Sequence, residues 1–194
     1  MDARRRRSIK KTSLRQERQT AADVGGRTQA NSGAVRMGGG ADVRAPGTLR
    51  IECKFTEKDR YVLKLVELEK LRKQAIKTLE FPVFQFAYSF HNSLTKYAVT
   101  PWNKATVPNL MDTHRWLGLG SIIIRHDELK KTLSSYKLLL VELDGKTFQI
   151  QHWDDFIKQF QGPENFSMGC VVATAPCAIC ECRACEHLGG KEEG

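Results

Sequence analysis

The chain has 194 residues, 27% of them charged and 41% hydrophobic, which is the balance of a soluble globular chain with one domain and room for a small appendage. No stretch has the apolar length needed to cross a bilayer, so no membrane partner is expected and a cytoplasmic protein is. The formal net charge of +9 is uneven: residues 1–50 hold 12 Lys or Arg against 4 Asp or Glu, and the remainder hold 19 against 18. A basic arm on a nearly neutral body points to a polyanion, most commonly nucleic acid.

At the N-terminus, Arg4, Arg5, Arg6 and Arg7 have no apolar run behind them, so they do not open a secretory signal. They read either as phosphate contacts or as a solvated tail. Residues 8–24 are polar with good helix formers, and Gly25-Gly26 stop that helix. A loop with Gly38-Gly39-Gly40 follows. Ala41 to Arg44 and Leu49 to Thr56 read as two strands joined by a turn at Pro46-Gly47. In LRIECKFT, Leu49, Ile51, Cys53 and Phe55 alternate with Arg50, Glu52, Lys54 and Thr56, the period of a half-buried strand.

YVLKL reads as a short strand, and residues 66–79 as an amphipathic helix carrying Leu68, Leu71, Ala75 and Leu79 on one face. FPVFQFAYSF is a buried strand and TKYAVTPW another. The order describes an α/β domain with a mixed central sheet flanked by helices, spanning residues 1–102 with its basic arm. Residues 103–120 read as a loop or linker. SIII, HDELKKTL, and the strands LLLVEL and TFQIQHW around the hairpin signal Asp144-Gly145 then give a small accessory α+β unit over 103–160. DDFIKQF reads as a last helical turn. Scattered histidines (His91, His114, His126, His152) lack ligand spacing, and Trp102, Trp116 and Trp153 read as core or interface.

The charged face of the Leu49–Thr56 strand has two readings. If residues 46–48 form a three-residue loop, position 45 pairs with 49 and 42 with 52, so Asp42 opposes Glu52 about 5 Å away on one face. A two-residue loop turns Asp42 to the core side instead. Opposed carboxylates are unfavourable unless neutralised, and a divalent cation neutralises them. Mg²⁺ takes one or two protein carboxylates and completes its shell with water and phosphate oxygens. Lys54, next on that face, is placed to orient a water or stabilise phosphate charge. Glu-X-Lys alone is ordinary solvated surface; an upstream Asp, a Gly-rich loop and a basic arm together shift the reading toward chemistry.

From about Arg15 to Trp102 the chain resembles the PD-(D/E)-X-K nuclease superfamily, and within it the Holliday-junction resolvases of archaea and their phage-borne relatives. The resemblance lies in RQE at 15–17, GGRTQANSGA at 25–34, GADV at 40–43, IECK at 51–54 followed by FTEK, the helix around LEKLRKQA, and FPVFQFAY. It implies a restriction-endonuclease-like core and a Mg²⁺-dependent endonuclease, with Mn²⁺ able to substitute, acting on branched DNA as a homodimer in a bacterial, phage or archaeal setting. It further implies that Asp42 and Glu52 bind the metal, that Lys54 is the catalytic lysine, and that Glu17 is an additional acidic residue assisting the metal or its water. Ser32 matches the Ser-Gly loop beside the scissile phosphate, Arg27 sits where a basic residue contacting DNA is expected, and the Cys53 backbone carbonyl is a further metal ligand. Arg36 reads, with Arg4 to Arg7, as a further phosphate contact. Ala41 stands where the superfamily name has proline, and residues 103–194 have no counterpart in the minimal resolvase. Other readings are a nuclease of the same fold acting on flaps or duplex, and a non-catalytic DNA-binding or zinc-binding adaptor.

From Gln161 the composition becomes loop-like, and residues 161–194 read as a flexible Cys-rich tail. Cys177-x2-Cys180-x-Cys182-x2-Cys185 contains two zinc half-sites, each C-x2-C. Only one residue separates them, where structural zinc sites have a long loop. The tail therefore reads as an oxidisable loop, with Zn²⁺ as the alternative.

Overall fold

A computed structural model of the chain describes residues 3–29, 42–45, 47–90, 93–102 and 114–161. The first helix, α1, runs Ala3–Asp23, so the backbone of Arg4 to Arg7 is helical and continuous with residues 8–23. It ends where Gly25 takes φ 63° and the Gly26 amide donates to the Ala21 carbonyl at 2.8 Å. Gly26 is packed so closely that a Cβ there would lie 2.7 Å from the Arg44 carbonyl oxygen.

The strands β1 (Arg27–Thr28), β2 (Val43–Ala45) and β3 (Leu49–Thr56) follow, then β4 (Arg60–Lys64), helix α2 (Leu65–Ile76), β5 (Phe81–Phe90) and β6 (Ser93–Pro101). The second half contributes β7 (His114–Gly118), β8 (Ser121–Arg125), α3 (His126–Ser135), β9 (Leu139–Leu143), β10 (Lys146–His152) and α4 (Trp153–Gln161). Asp144 (φ 48°) and Gly145 (φ 74°) both lie in the left-handed region, the requirement of the two-residue turn that joins β9 to β10.

Eight strands form one mixed sheet in the order β1-β2-β3-β5-β6-β10-β9-β7. The β3–β5 and β7–β9 pairs are parallel and the others antiparallel. β4 and β8 pair with each other as a separate ribbon. β10 pairs with β6, so the sheet continues across the boundary near Trp102. A long apolar strand left at an edge exposes unpaired amides and carbonyls; pairing β6 with β10 removes that edge. The stretch 103–120, expected as loop or linker, contains β7, while 103–113 lie outside the described residues.

Alternation along the strands divides the core into two layers. On one side Leu49, Ile51, Cys53, Val83 and Ala98 pack against Ala21 and Val24 of α1 and Trp153 and Phe156 of α4. On the other, Phe84, Phe86, Tyr88, Tyr97 and Val99 pack beneath α2, α3 and the β4–β8 ribbon, through Leu68, Leu71, Leu129, Leu63 and Ile124. Asp23 ties the two halves of the sequence together, accepting from Lys96 Nζ at 2.7 Å and from Trp153 Nε1 at 2.8 Å.

Candidate active site

The turn between β2 and β3 decides where Asp42 faces. Ala45 opposes Leu49, Arg44 opposes Arg50 and Val43 opposes Ile51. Three residues therefore separate the paired ends. The pairing stops at Val43: the Asp42 amide donates to the Ile51 carbonyl at 3.1 Å, so Asp42 leaves the regular register, and its charge reaches Glu52. The Asp42 side chain is buried, and its Oδ2 accepts the Cys53 amide at 2.8 Å. Because N–H and C=O of one strand residue project to the same side, the Cys53 carbonyl is turned toward Asp42 as well.

Glu52 and Lys54 share the sheet face of Phe84 and Phe86, their partners on β5. Both are half-buried, and Lys54 Nζ donates to Glu52 Oε1 at 2.6 Å. Burial raises the Glu52 pKa, and the Asp42 charge raises it further; the bond and charge of Lys54 and the charge of Lys70 offset only part of this. For Lys54, burial works to lower the pKa, but the Glu52 hydrogen bond and the charges of Glu52, Asp42 and Glu67 outweigh it, and the net shift is upward. The ammonium form is therefore the one this pocket holds at neutral pH.

Glu17 comes from α1, the helix on the opposite face. Its Oε1 accepts from Ser13 Oγ at 3.0 Å. Its pKa is raised, first by burial and then by Asp42, while Ser13 and Lys54 pull it down, so its carboxylate shares a field with the Asp42–Glu52–Lys54 group. Buried polar contacts fix the helix there: Gln16 Nε2 donates to the Lys54 carbonyl at 3.2 Å and to Gln85 Oε1 at 2.9 Å, and Thr20 Oγ1 donates to the same Gln85 oxygen at 2.9 Å. Gln16, Thr20 and Gln85 did not stand out in the sequence as site residues. The available signal was the four-residue spacing of Gln16, Thr20 and Val24, which sets two polar residues on the buried stripe of a helix.

The remaining expectations divide plainly. Arg27 is exposed on β1, opposite Arg44. The Cys53 side chain lies in the core, where burial first, then the charges of Asp42 and Glu17, push its thiol well up; only its main chain faces the site. α1 carries Arg4, Arg5, Arg6 and Arg7 in its opening turns. Ser32, Arg36, Cys177, Cys180, Cys182 and Cys185 lie outside the described residues. Among the described residues no three His, Cys, Asp or Glu side chains are grouped to hold a metal ion. The set the resemblance implies, the Asp42 and Glu52 carboxylates with the Cys53 carbonyl, is all hard oxygens. That set fits a cation which needs only one or two protein carboxylates, such as Mg²⁺.

No family model, no curated protein and no solved structure matches the chain.

Proposed function

We propose that the chain is a Mg²⁺-dependent, structure-selective DNA endonuclease of the Holliday-junction resolvase type, serving DNA recombination or repair. The observation that carries the reading is the gathering of Asp42, Glu52 and Lys54: Asp42 is bonded to the Cys53 amide, its charge acts on Glu52 and Lys54, and Lys54 is bonded to Glu52. A buried and a half-buried carboxylate that share one field favour a cation, and an ammonium beside them suits a phosphodiester. The order α1, β2, β3, β4, α2, β5 supports a restriction-endonuclease-like core, with β3 and β5 parallel. The strongly basic first quarter of the chain supports a DNA partner.

In this reading Asp42, Glu52 and the Cys53 carbonyl hold Mg²⁺, which when bound supplies Lewis-acid polarisation of the phosphate and activation of a water. Asp42 is held in place by the Cys53 amide, which fixes its carboxylate without rotamer searching. Lys54, kept protonated by its acidic neighbours, is a donor and not a base: it steadies negative charge developing on the phosphate. Glu17 contributes a further acceptor for a water at the edge of the pair. Arg4 to Arg7, Arg27 and Arg36 contribute phosphate contacts. A four-way junction offers two equivalent strands, which a two-fold homodimer matches with two equivalent sites.

The test is cleavage of a four-way junction, a flap and a linear duplex by wild type and by Glu52→Ala, with and without Mg²⁺. Junction cleavage that needs both Mg²⁺ and Glu52 is the expected result. Equal cutting of linear duplex would remove the resolvase assignment and leave a nuclease. Absence of metal-dependent cleavage on every substrate would remove both.

A further inference from the structure

We infer that the outward face of the β4–β8 ribbon is a second DNA-binding surface, which lays an arm of duplex DNA against Arg60, Lys64 and Arg125. The ribbon alternates strictly. Leu63 and Ile124 enter the core, and Tyr61 and Ile122 pack half-buried against it. Arg60, Val62 and Lys64 of β4 and Ser121, Ile123 and Arg125 of β8 face outward and are exposed. That face holds three cations and no acidic side chain.

The register sharpens the charge. Arg60 lies directly opposite Arg125. Like charges so placed, about 5 Å apart, oppose strand pairing. Among the described residues neither arginine, nor Lys64, has an ion-pair partner. Asp127, two residues from Arg125, makes only a long contact of 3.9 Å to its neighbour His126. An arrangement that works against its own strand pairing is relieved by an external anion. The apolar pair Val62 and Ile123, 41% and 56% exposed, lies between the charges at the ribbon's centre. A second copy of the chain is a poor occupant, because two-fold packing on this face would bring the arginines of both copies together. Duplex DNA is a good one: it presents closely spaced phosphates, and its major groove admits a two-stranded ribbon.

The ribbon lies on the same side of the sheet as Glu52 and Lys54. Tyr61 on its inner face stacks on Phe86, the partner of Lys54, with ring centroids 5.1 Å apart, and its raised pKa comes first from burial, then from the charges of Glu67 and Glu52. A duplex arm on the ribbon would thus run beside the Asp42–Glu52 pair. Half of the ribbon, β8, comes from the segment that has no counterpart in the minimal resolvase. The ribbon's job of aligning DNA with the cutting site rests on the nuclease reading; its affinity for DNA does not.

The test measures binding of the full chain to a labelled duplex and a labelled four-way junction without divalent metal, over a range of salt. In parallel it follows Mg²⁺-dependent cleavage. Arg60→Ala combined with Arg125→Ala is expected to lose on the order of tenfold or more in affinity at low salt and to reduce the slope of log K against log salt by about two. Arg60→Lys combined with Arg125→Lys should restore the slope, which separates charge from folding. Lys158→Ala, 79% exposed on α4 in the opposite layer, should change neither quantity. Wild-type affinity and slope in the double alanine variant would overturn the proposal, as would wild type that binds no DNA. A change of oligomeric state in that variant with an unchanged salt slope would assign the face to a second copy instead. Wild type that binds through the ribbon but never cuts would leave this inference standing and defeat the nuclease reading. Wild type that cuts, with a double variant that binds and cuts equally well, would do the reverse.

Discussion

The Cys53 amide donates to Asp42 Oδ2 at 2.8 Å, so one residue of β3 is both the core anchor of the strand and the clamp on the carboxylate across from it. The structural job of Asp42 and the catalytic one proposed for it can be separated by mutagenesis. Asp42→Ala leaves a buried amide without an acceptor and should cost about 1–3 kcal/mol of stability. Asp42→Asn keeps an acceptor and should melt near wild type. Both should lose Mg²⁺-dependent cleavage by about a hundredfold or more. Denaturant midpoints and single-turnover rates measured on the same preparations check this; full activity in Asp42→Asn would remove Asp42 from the site.

Lys54 is held as an ammonium by Glu52, Asp42 and Glu67. Lys54→Met keeps the aliphatic stem and removes the charge, so its thermal stability should stay close to wild type. Junction cleavage should fall by about a hundredfold or more, while junction binding changes little. A parallel loss of binding and cleavage would make Lys54 a DNA contact only.

Glu80 makes a buried ion-pair cluster at the other end of β3. Its Oε1 accepts from Arg44 Nη2 and its Oε2 from Arg50 Nε, at 2.6 and 2.9 Å, and Thr78 Oγ1 adds a bond of 2.6 Å. Burial works to raise the Glu80 pKa, but the bonds from Thr78, Arg44 and Arg50 outweigh it and hold it below the usual value of 4.5. A depressed folded pKa contributes stability that is present above the unfolded pKa and is lost as pH falls through the folded one. Unfolding free energy should therefore decline below about pH 4.5, and Glu80→Gln should flatten that part of the profile. Glu80→Ala removes the carboxylate from two arginines, one of them, Arg50, only 2% exposed, and should cost about 3–5 kcal/mol at pH 7. An acid limb unchanged in Glu80→Gln would assign it to other carboxylates.

The opposition of Arg60 and Arg125 makes a prediction about stability that runs opposite to its role in binding. Arg125→Thr removes the repulsion and adds a strand-favouring residue, so without DNA the variant should be more stable than wild type by about 0.2–1 kcal/mol. Added duplex should stabilise wild type more than the variant, since binding to the folded state alone raises apparent stability. Thermal melts with and without duplex read both effects. A less stable Arg125→Thr would mean that the arginine has a structural partner.

Local pattern was enough for much of this chain. The alternation of Leu49, Ile51 and Cys53 gave β3, the four-residue spacing of Leu71 and Ala75 gave α2, and Asp144-Gly145 gave the β9–β10 turn, because each depends on neighbours a few residues away. The residue types that make Asp42, Glu52 and Lys54 candidates were also legible. The turn length was not: one residue more or less reverses every side chain beyond it, and the observed register, with Ala45 on Leu49, makes it three residues, after which Asp42 departs from the ladder to bond the Ile51 carbonyl. Nor could periodicity foresee that β7 joins β9 or that β10 closes on β6, since those pairings depend on edges made by distant segments. The approach of Glu17 from the opposite layer and the pairing of β4 with β8 arise in the same way. Local sequence pattern was enough for most strands and helices, β7 excepted, and for the residue types that make candidates. The tertiary structure decided which of those residues meet, because side-chain direction and strand partnership are set by packing across the sheet.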